Sequence, residues 1–451
     1  MSVNWSLKKI SDICEFQNNK RVPLKSLDRE KRQGEYPYYG ASGIVDYIDN
    51  YIFDGKFLLI SEDGENLRTR NTPIAFQAQG RFWVNNHAHI LAEKEEGILD
   101  YLEYYFSILN INPYITGAVQ PKLNKANLDA IEIPIPPVNE RLLINQILNS
   151  LKKKILLNNQ INQTLESIAQ AIFKSWFIDF DPVRAKIAAK QEGNDPELAA
   201  MCAISGKSEV ELEQTSEGDF AELQATAALF PDELVESELG EVPKGWEILD
   251  IDKTTSLIID HRGKTPKKLG SDWSDTGITV LSAKHIKDGY IVNREQLRFV
   301  DTELYNKWMK EELEEGDILL TSEGPMGEMY YLASDEKYCL SQRLYALRAN
   351  TDLISSAFLY FWLLSPYAKS DMNGRATGTT VVGIRQSELR KVKVLTPPKN
   401  ICDLFNEKVK ANLKQIALNN NKSVDLAHIR DILLPKLMAG DLTLSVGLLD
   451  E

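Results

Sequence analysis

The sequence of 451 residues lacks several features that define common classes of protein. Its four cysteines are scattered and form no C-x-x-C motif, which excludes a disulfide framework and a zinc ribbon. It has no run of about eighteen apolar residues, and its N-terminal segment has no signal-peptide core. We therefore expect a soluble, cytoplasmic protein with no membrane partner.

Motifs for catalysis and cofactor binding are also missing. There is no G-x-x-x-x-G-K-[ST] loop for ATP and no Gly-rich turn that would hold S-adenosylmethionine. Asn112-Pro113-Tyr114 resembles the Asn-Pro-Pro-Tyr of adenine methyltransferases, but one proline is missing and no cofactor-binding unit precedes it. His87 and His89 have no Cys or carboxylate spaced to complete a metal site. The sequence predicts that this chain is not an enzyme and holds no metal and no cofactor.

The formal net charge of −13 is unevenly distributed. Residues 191–241 contain fourteen Asp or Glu and a single Lys, which is a net charge of −13 and leaves the rest of the chain neutral. Neutral units can still carry local basic faces, which contact with phosphate requires. The charge therefore permits nucleic-acid binding without arguing for it.

The longest regular pattern runs from residue 133 to residue 177. It begins with Pro136-Pro137 and then continues without Pro or Gly, which predicts a long helix. Its apolar positions alternate between spacings of three and four, as in a coiled-coil seam: Ile144, Leu148, Leu151, Ile155, Leu165, Ala169, Ile172 and Trp176. Asn158 and Asn162 are polar positions in this seam. A buried Asn fixes the register of a coiled coil, because other pairings leave its amide unsatisfied.

This pattern occurs twice in the chain. A shift of 261 residues places VLTPPKN (394–400) on IPIPPVN (133–139) and Asn419 on Asn158. The same shift places GTTVVGIRQSELRKVKV on GAVQPKLNKANLDAIEI and GDILLTSEGP (316–325) on GKFLLISEDG (55–64). The chain therefore consists of two tandem copies of a globular unit followed by a long helix.

Each globular unit mixes short strands with one or two helices, which predicts an α+β fold. In the acidic segment, apolar patches indicate short packed helices rather than a free linker. We predict a first unit at 1–135, a first long helix at 136–181, an acidic connector at 182–245, a second unit at 246–396, a second long helix at 397–440 and a tail at 441–451.

Four further motifs carry a resemblance to a known family. They are IPIPP-x-x-E-R at 133–141, LNNQINQTLESIAQAIFKSWFIDFDPVRAK at 157–186, SELGEVPKGWE at 237–247 and RDILLPKLMAGDL at 430–442. In combination with the tandem repeat, they resemble the specificity subunits of Type I restriction-modification systems over essentially the whole chain.

The resemblance implies two pseudo-symmetric target-recognition domains, each reading one half of a split target in double-stranded DNA. The two long helices would form an antiparallel spacer that sets the gap between the half-sites; forty residues of helix extend roughly 60 Å. The partners would be methyltransferase subunits, two by symmetry, and restriction subunits. S-adenosylmethionine, ATP and Mg would then belong to those partners.

Candidate DNA contacts lie in Gly-containing loops where the two copies diverge. Arg and Lys side chains can bond to guanine, and Asn and Gln to adenine. The candidates are Lys20, Arg21, Arg68, Arg70, Arg81, Asn86 and His87 in the first unit, and His261, Arg262, Lys264, Lys284, Lys287, Gln342, Arg343 and Arg375 in the second. We further predict that Asn158, Asn162 and Asn419 fix the coiled-coil register, and that Trp176, Phe177 and Arg184 contact a partner subunit. For Trp176 and Phe177, packing at the end of the coiled coil is an equal alternative.

Two other hypotheses fit the same sequence. The chain is alternatively a stand-alone DNA-modifying enzyme with an unfamiliar site, which would be active in isolation. A scaffold or regulatory subunit that has lost sequence reading would bind its protein partner and bind DNA without sequence preference.

Overall fold

The computed structural model describes residues 5–261 and 263–442. The predicted contact Arg262 and most of the predicted tail therefore lie outside the described residues. Two compact units are present: Met1–Leu157 with Lys422–Glu451, and Asn158–Asn421. Within the described residues, no helix is long and apolar enough to cross a membrane.

The first unit is built on a six-stranded sheet. Its strand order is Cys14–Phe16, Ala88–Glu93, Phe53–Ser61, Ala75–Val84, Gln33–Gly40 and Gly43–Ile48. A separate ribbon pairs Ser6–Lys8 with Ile133–Ile135. The helices of the globular part are Ile10–Ile13, Ser26–Glu30, Asn66–Thr69, Ile98–Ile108 and Lys125–Asp129, with short 3-10 turns at Asn18–Lys20 and Asn112–Tyr114.

The second unit repeats the central part of this arrangement. Its main sheet has the order Thr255–Asp260, Leu344–Ala349, Ile318–Thr321 and Met329–Tyr331, and its ribbon pairs Glu247–Asp250 with Lys393–Thr396. A second sheet has the order Arg298–Val300, Ile278–Leu281 and Tyr338–Leu340, next to a small ribbon of Ile286–Lys287 and Tyr290–Ile291. The helices are Ile251–Thr254, Thr302–Trp308, Ser356–Leu364, Pro366–Arg375 and Gln386–Leu389, with 3-10 turns at Lys267–Leu269, Ala283–His285 and Arg294–Gln296. The predicted α+β class and its tandem repeat are confirmed.

The acidic segment is helical and packed. It forms the helices Asp181–Glu192, Pro196–Ser205, Glu209–Glu213 and Glu217–Ala228 and a hairpin of Leu234–Ser237 with Gly240–Pro243. Ala200, Met201, Leu212 and Ala227 form a small buried core between these helices. The prediction of packed helices rather than a free linker is confirmed.

Both long helices are continuous over forty residues, at Val138–Phe177 and Lys399–Met438. The first begins directly after the two prolines, where the Arg141 N–H donates to the Pro137 carbonyl at 2.9 Å. It ends at Phe177 because Phe180 adopts a left-handed conformation (φ 56°) and Pro182 cannot continue the ladder.

The helices pack in opposite directions within each unit. In the first unit, Ile144 and Leu148, near the start of one helix, share a core with Leu434 and Leu437, near the end of the other. In the second unit, Phe173 and Phe177 share a core with Phe405, near the start of the second helix. The predicted antiparallel pairing is confirmed. The polar positions Asn158, Asn162 and Asn419 are all buried, as the seam pattern predicts.

Trp176 and Phe177 do not form an exposed docking surface. They are 2% and 0% exposed, and their rings pack edge-on against Phe230 (5.3 Å) and Phe358 (4.9 Å). Burial of these large rings stabilises the end of the helix against the second unit's core. The prediction that they contact a partner subunit is therefore wrong. Arg184, by contrast, is exposed and lies near Glu241.

Candidate nucleic-acid interface

Each unit carries the same turn at the same place in its central sheet. The first turn (residues 85–87) leads into Ala88–Glu93, and the second turn (residues 341–343) leads into Leu344–Ala349. The Glu62 N–H donates to the His87 carbonyl at 2.9 Å, and the Ser322 N–H donates to the Arg343 carbonyl at 2.8 Å. The two turns are therefore equivalent, although their sequences differ: Asn-Asn-His in one and Ser-Gln-Arg in the other.

The last residue of each turn is an exposed basic side chain next to a carboxylate. His87 Nδ1 lies 2.9 Å from both carboxylate oxygens of Asp63, and the Arg343 Nε donates to Glu323 Oε1 at 2.9 Å. The side chains of His87 and Arg343 are 47% and 49% exposed. Each carboxylate orients the basic group and leaves part of it open to a ligand. Each pairing therefore orients the basic side chain without burying it.

A loop adjoins each turn: the first loop (residues 116–122) and the second loop (residues 377–383). Paired backbone hydrogen bonds close them, between Thr116 and Lys122 at 2.8 Å and between Thr377 and Gly383 at 2.9 and 3.0 Å. The residue after each loop bonds to the same residue that bonds to the turn. The Leu123 N–H donates to the Glu62 carbonyl at 2.7 Å, and the Ile384 N–H donates to the Ser322 carbonyl at 2.9 Å. Turn and loop therefore form one surface in each unit.

Glycine is required at one equivalent position of these loops. Gly117 and Gly378 have φ values of +85° and +115°, and an added Cβ would lie 2.2 Å and 2.1 Å from a carbonyl oxygen across the loop. Any other residue would open the loop. The tips project apolar side chains, with Val119 97% exposed and Val381 and Val382 about half exposed.

The equivalence of hydrogen bonds corrects the sequence alignment by one residue. The shift of 261 pairs Glu62 with Glu323, whereas the structure pairs Asp63 with Glu323. In each unit the carboxylate residue directly follows the residue whose N–H bonds to the turn, which is Glu62 in the first unit and Ser322 in the second. Asp63 and Glu323 were missed as parts of the site. The repeated S-E motif at 61–62 and 322–323 pointed to this segment but not to the right residue.

Several predicted DNA contacts are exposed, and they stay candidates. Lys20, Asn86, Lys284, Lys287 and Gln342 face solvent. Arg68 is exposed, but its Nη2 donates to the Gly117 carbonyl at 2.9 Å, so that it holds the first loop in place. Arg81 is exposed, and its guanidinium lies 4.9 Å above the Tyr51 ring and near Asp54.

Three predicted DNA contacts are structural instead. Arg21 is mostly buried and donates to Glu62 at 2.6 Å and to the Ala88 carbonyl at 2.8 Å. Arg70 donates to the carbonyls of Phe106 and Leu109 at the end of a helix, where burial lowers its pKa. His261 is 5% exposed, and burial lowers its pKa. Their prediction as base contacts is wrong, because these side chains are buried or bonded to the protein's own backbone.

Two others are half-buried and held by internal bonds. The Lys264 Nζ donates to the Trp308 carbonyl at 2.6 Å, and the Arg375 Nε donates to Asp371 at 2.7 Å. Their contact with DNA stays a prediction. Among the residues that the structure describes, no group of three His, Cys, Asp or Glu is arranged to hold a metal ion.

This geometry defines a class of protein: a tandem repeat of α+β units with equivalent surface turns that carry different side chains. Comparison with known proteins narrows the class. Residues 2–167 and 243–426 match the model of the Type I restriction modification DNA specificity domain. The chain belongs to the family of specificity subunits of Type I restriction-modification systems.

Individual relatives agree with this assignment. The chain is 32% identical to the Type I restriction enzyme HindI specificity subunit of Haemophilus influenzae, over 95% of this chain and 91% of that one. It is 23% identical to the MjaIX specificity subunit of Methanocaldococcus jannaschii, over 97% and 94%. The solved S subunit from M. genitalium has a similar fold, with a TM-score of 0.60 at 12% identity and 96% coverage of both chains.

Proposed function

We propose that each unit reads one half of a bipartite DNA target through its turn-and-loop surface, and that the paired helices set the gap between the halves. The observation that supports this most directly is the pair of equivalent turns with different side chains. Two half-sites of different sequence require different base-contacting side chains at the equivalent position of each unit. Arg343 is suited to guanine, and Asn86 and Gln342 are suited to adenine.

The repeated parts are suited to a shared partner. We propose that two methyltransferase subunits bind the long helices and the segment around Arg184, which is exposed on the helix Asp181–Glu192. Restriction subunits would join through that complex. In this proposal the chain itself is non-catalytic and acts in the cytoplasm, and the partners bind S-adenosylmethionine, ATP and Mg.

The test uses two single variants, His87→Ala and Arg343→Ala, in a complex with the methyltransferase subunits of the same system. The readout is methylation of DNA libraries in which either half of the mapped target is randomised. We expect Arg343→Ala to relax only the half read by the second unit and His87→Ala only the half read by the first. Losing one bidentate base contact costs about 1–3 kcal/mol of discrimination.

Lys253→Ala is the matched control. Lys253 is exposed in the second unit and precedes the strand Thr255–Asp260. Thr255 pairs with Ala349, at the end of the neighbouring strand that is far from the second turn. We expect this variant to leave both half-sites unchanged. Equal relaxation of both half-sites by Arg343→Ala would contradict the assignment of one half-site to each unit.

A further inference from the structure

A cavity of about 440 Å³ lies beside the second turn, within the second unit. Its walls come from the second turn, through Ser341 and Gln342, and from the sheet and 3-10 turns between residues 265 and 308. This size is within the range of small-molecule sites in proteins. The partly open cavity is thus continuous with the surface that we propose to contact DNA.

The cavity is cationic in an acidic protein. Lys267, Lys284 and Arg298 line it, and among the described lining residues there is no Asp or Glu. The Lys284 Nζ donates to Gln296 Oε1 at 3.0 Å, and Gln296 in turn donates to Glu295, which does not line the cavity. Three cationic side chains therefore face a ligand without a carboxylate on the wall. A phosphate group is the anion that such donors bind most directly.

Two tryptophans form an aromatic wall. The Trp273 and Trp308 rings lie 6.3 Å apart, and the Arg298 guanidinium lies 4.9 Å from the Trp273 ring. Trp273 is half-buried, so part of its surface faces the cavity. Tryptophan and arginine planes are groups on which nucleic-acid bases stack.

One buried donor at this cavity, the indole of Trp308, has no hydrogen-bond partner. The indole Nε1–H of Trp308 is unpaired although the residue is 0% exposed. His285 is 3% exposed; its Nδ1 accepts the Ser282 backbone N–H at 3.1 Å, so its proton is on Nε2. Burial, reinforced by Lys284, lowers the pKa of His285, and the Gln296 backbone opposes this. Unpaired buried donors are rare, because burial removes their hydrogen bonds to water and nothing replaces them.

We propose that this cavity binds a nucleotide, with its planar base on the exposed part of Trp273 and its phosphate on Lys267, Lys284 and Arg298. An acceptor atom of the base would satisfy the buried indole donor of Trp308. The nucleotide has two possible sources: an unstacked nucleotide of a bound DNA strand, or a free nucleotide. The first source rests on the proposed function, whereas the second does not.

The experiment measures binding to the full-length chain by titration calorimetry, with two kinds of probe. One is each of the four deoxynucleoside monophosphates, and the other is a single-stranded DNA 12-mer of random sequence. The variants are Lys284→Ala and Arg298→Ala, which are exposed and should not disturb folding, with Lys253→Ala as the control. Circular dichroism of each variant establishes that it is folded.

Each outcome decides the proposal. Saturable binding of monophosphates that weakens about tenfold in Lys284→Ala, but not in Lys253→Ala, indicates a free-nucleotide site. Binding of the 12-mer alone, with the same dependence on the variants, indicates a strand-borne nucleotide. Binding of neither probe, or equal effects of all three variants, overturns the proposal. The proposed half-site reading is tested separately by methylation, so the two can fail independently.

Discussion

A buried asparagine network lies between the two long helices within the second unit, and its contribution to the free energy of unfolding can be predicted. The Asn162 Nδ2 donates to Asn420 Oδ1 at 2.7 Å, and the Asn419 Nδ2 donates to Asn162 Oδ1 at 2.9 Å. Asn162 and Asn419 are 0% and 4% exposed. Asn162→Ala removes both bonds and leaves the Asn419 amide buried without this acceptor.

The expected cost of Asn162→Ala is about 2–3 kcal/mol in the free energy of unfolding, since a buried donor is left unpaired. Replacing both Asn162 and Asn419 by Leu removes both amides and keeps the volume, so that the double variant should be within about 1 kcal/mol of the wild type or more stable. The register of the two helices in this double variant should be less well defined, because a fully apolar seam tolerates sliding of one helix along the other.

Urea denaturation followed by tryptophan fluorescence measures the stability, because Trp176 reports on the core of the same unit. Sliding of one helix along the other is measured by disulfide trapping between introduced cysteines that face each other only after a shift of register. Asn159→Ala, at an exposed position on the same helix, is the control and should change stability by a few tenths of a kcal/mol at most. The reasoning is refuted if Asn162→Ala costs less than about 0.5 kcal/mol, or if the double Leu variant is as destabilised as the sum of its singles.

Three further predictions concern stability and assembly. Arg141 is 0% exposed and bonds to Glu95 and to the Glu96 carbonyl, so Arg141→Leu should destabilise the first unit by about 1–3 kcal/mol, measured by urea denaturation; a change under about 0.5 kcal/mol would contradict this. Burial raises the pKa of Glu166 despite a hydrogen bond from Tyr290, so the wild type should lose stability as pH rises through that pKa. Glu166→Gln should lose less stability than the wild type between pH 4 and 7 in thermal melts, and parallel curves would refute this. One heptad inserted into each long helix should lengthen the gap of the methylated motif and leave its halves intact, whereas an unchanged gap would show that the helices do not set it.

The repeat and the fold class could be predicted from the sequence because they rest on patterns. Pro136-Pro137 followed by forty residues without Pro or Gly specifies a helix start and length, and the Asn positions in an apolar seam specify burial. Local strand patterns such as residues 53–61 also sufficed, since a short apolar run between turn residues indicates a strand without tertiary information.

The candidate site could be predicted only in part, because a charge in a Gly-containing loop has two possible roles. His87 and Arg343 share a position and face solvent, but Arg21 and Arg70 have the same composition signal and point inward to carbonyls. The difference depends on which carbonyls are left unpaired in the folded chain, which no local pattern encodes. Trp176 and Phe177 show the same ambiguity, since an aromatic helix end can be a core or an interface.

The most direct test of half-site reading is a genome-wide map of adenine methylation in cells that carry this gene with its partner genes, compared with cells from which this gene alone is deleted. We predict that a motif of two short sequences separated by a gap of fixed length disappears on deletion. It should return on complementation, with one half relaxed by Arg343→Ala and the other by His87→Ala. A motif set that is identical with and without the gene would contradict the account.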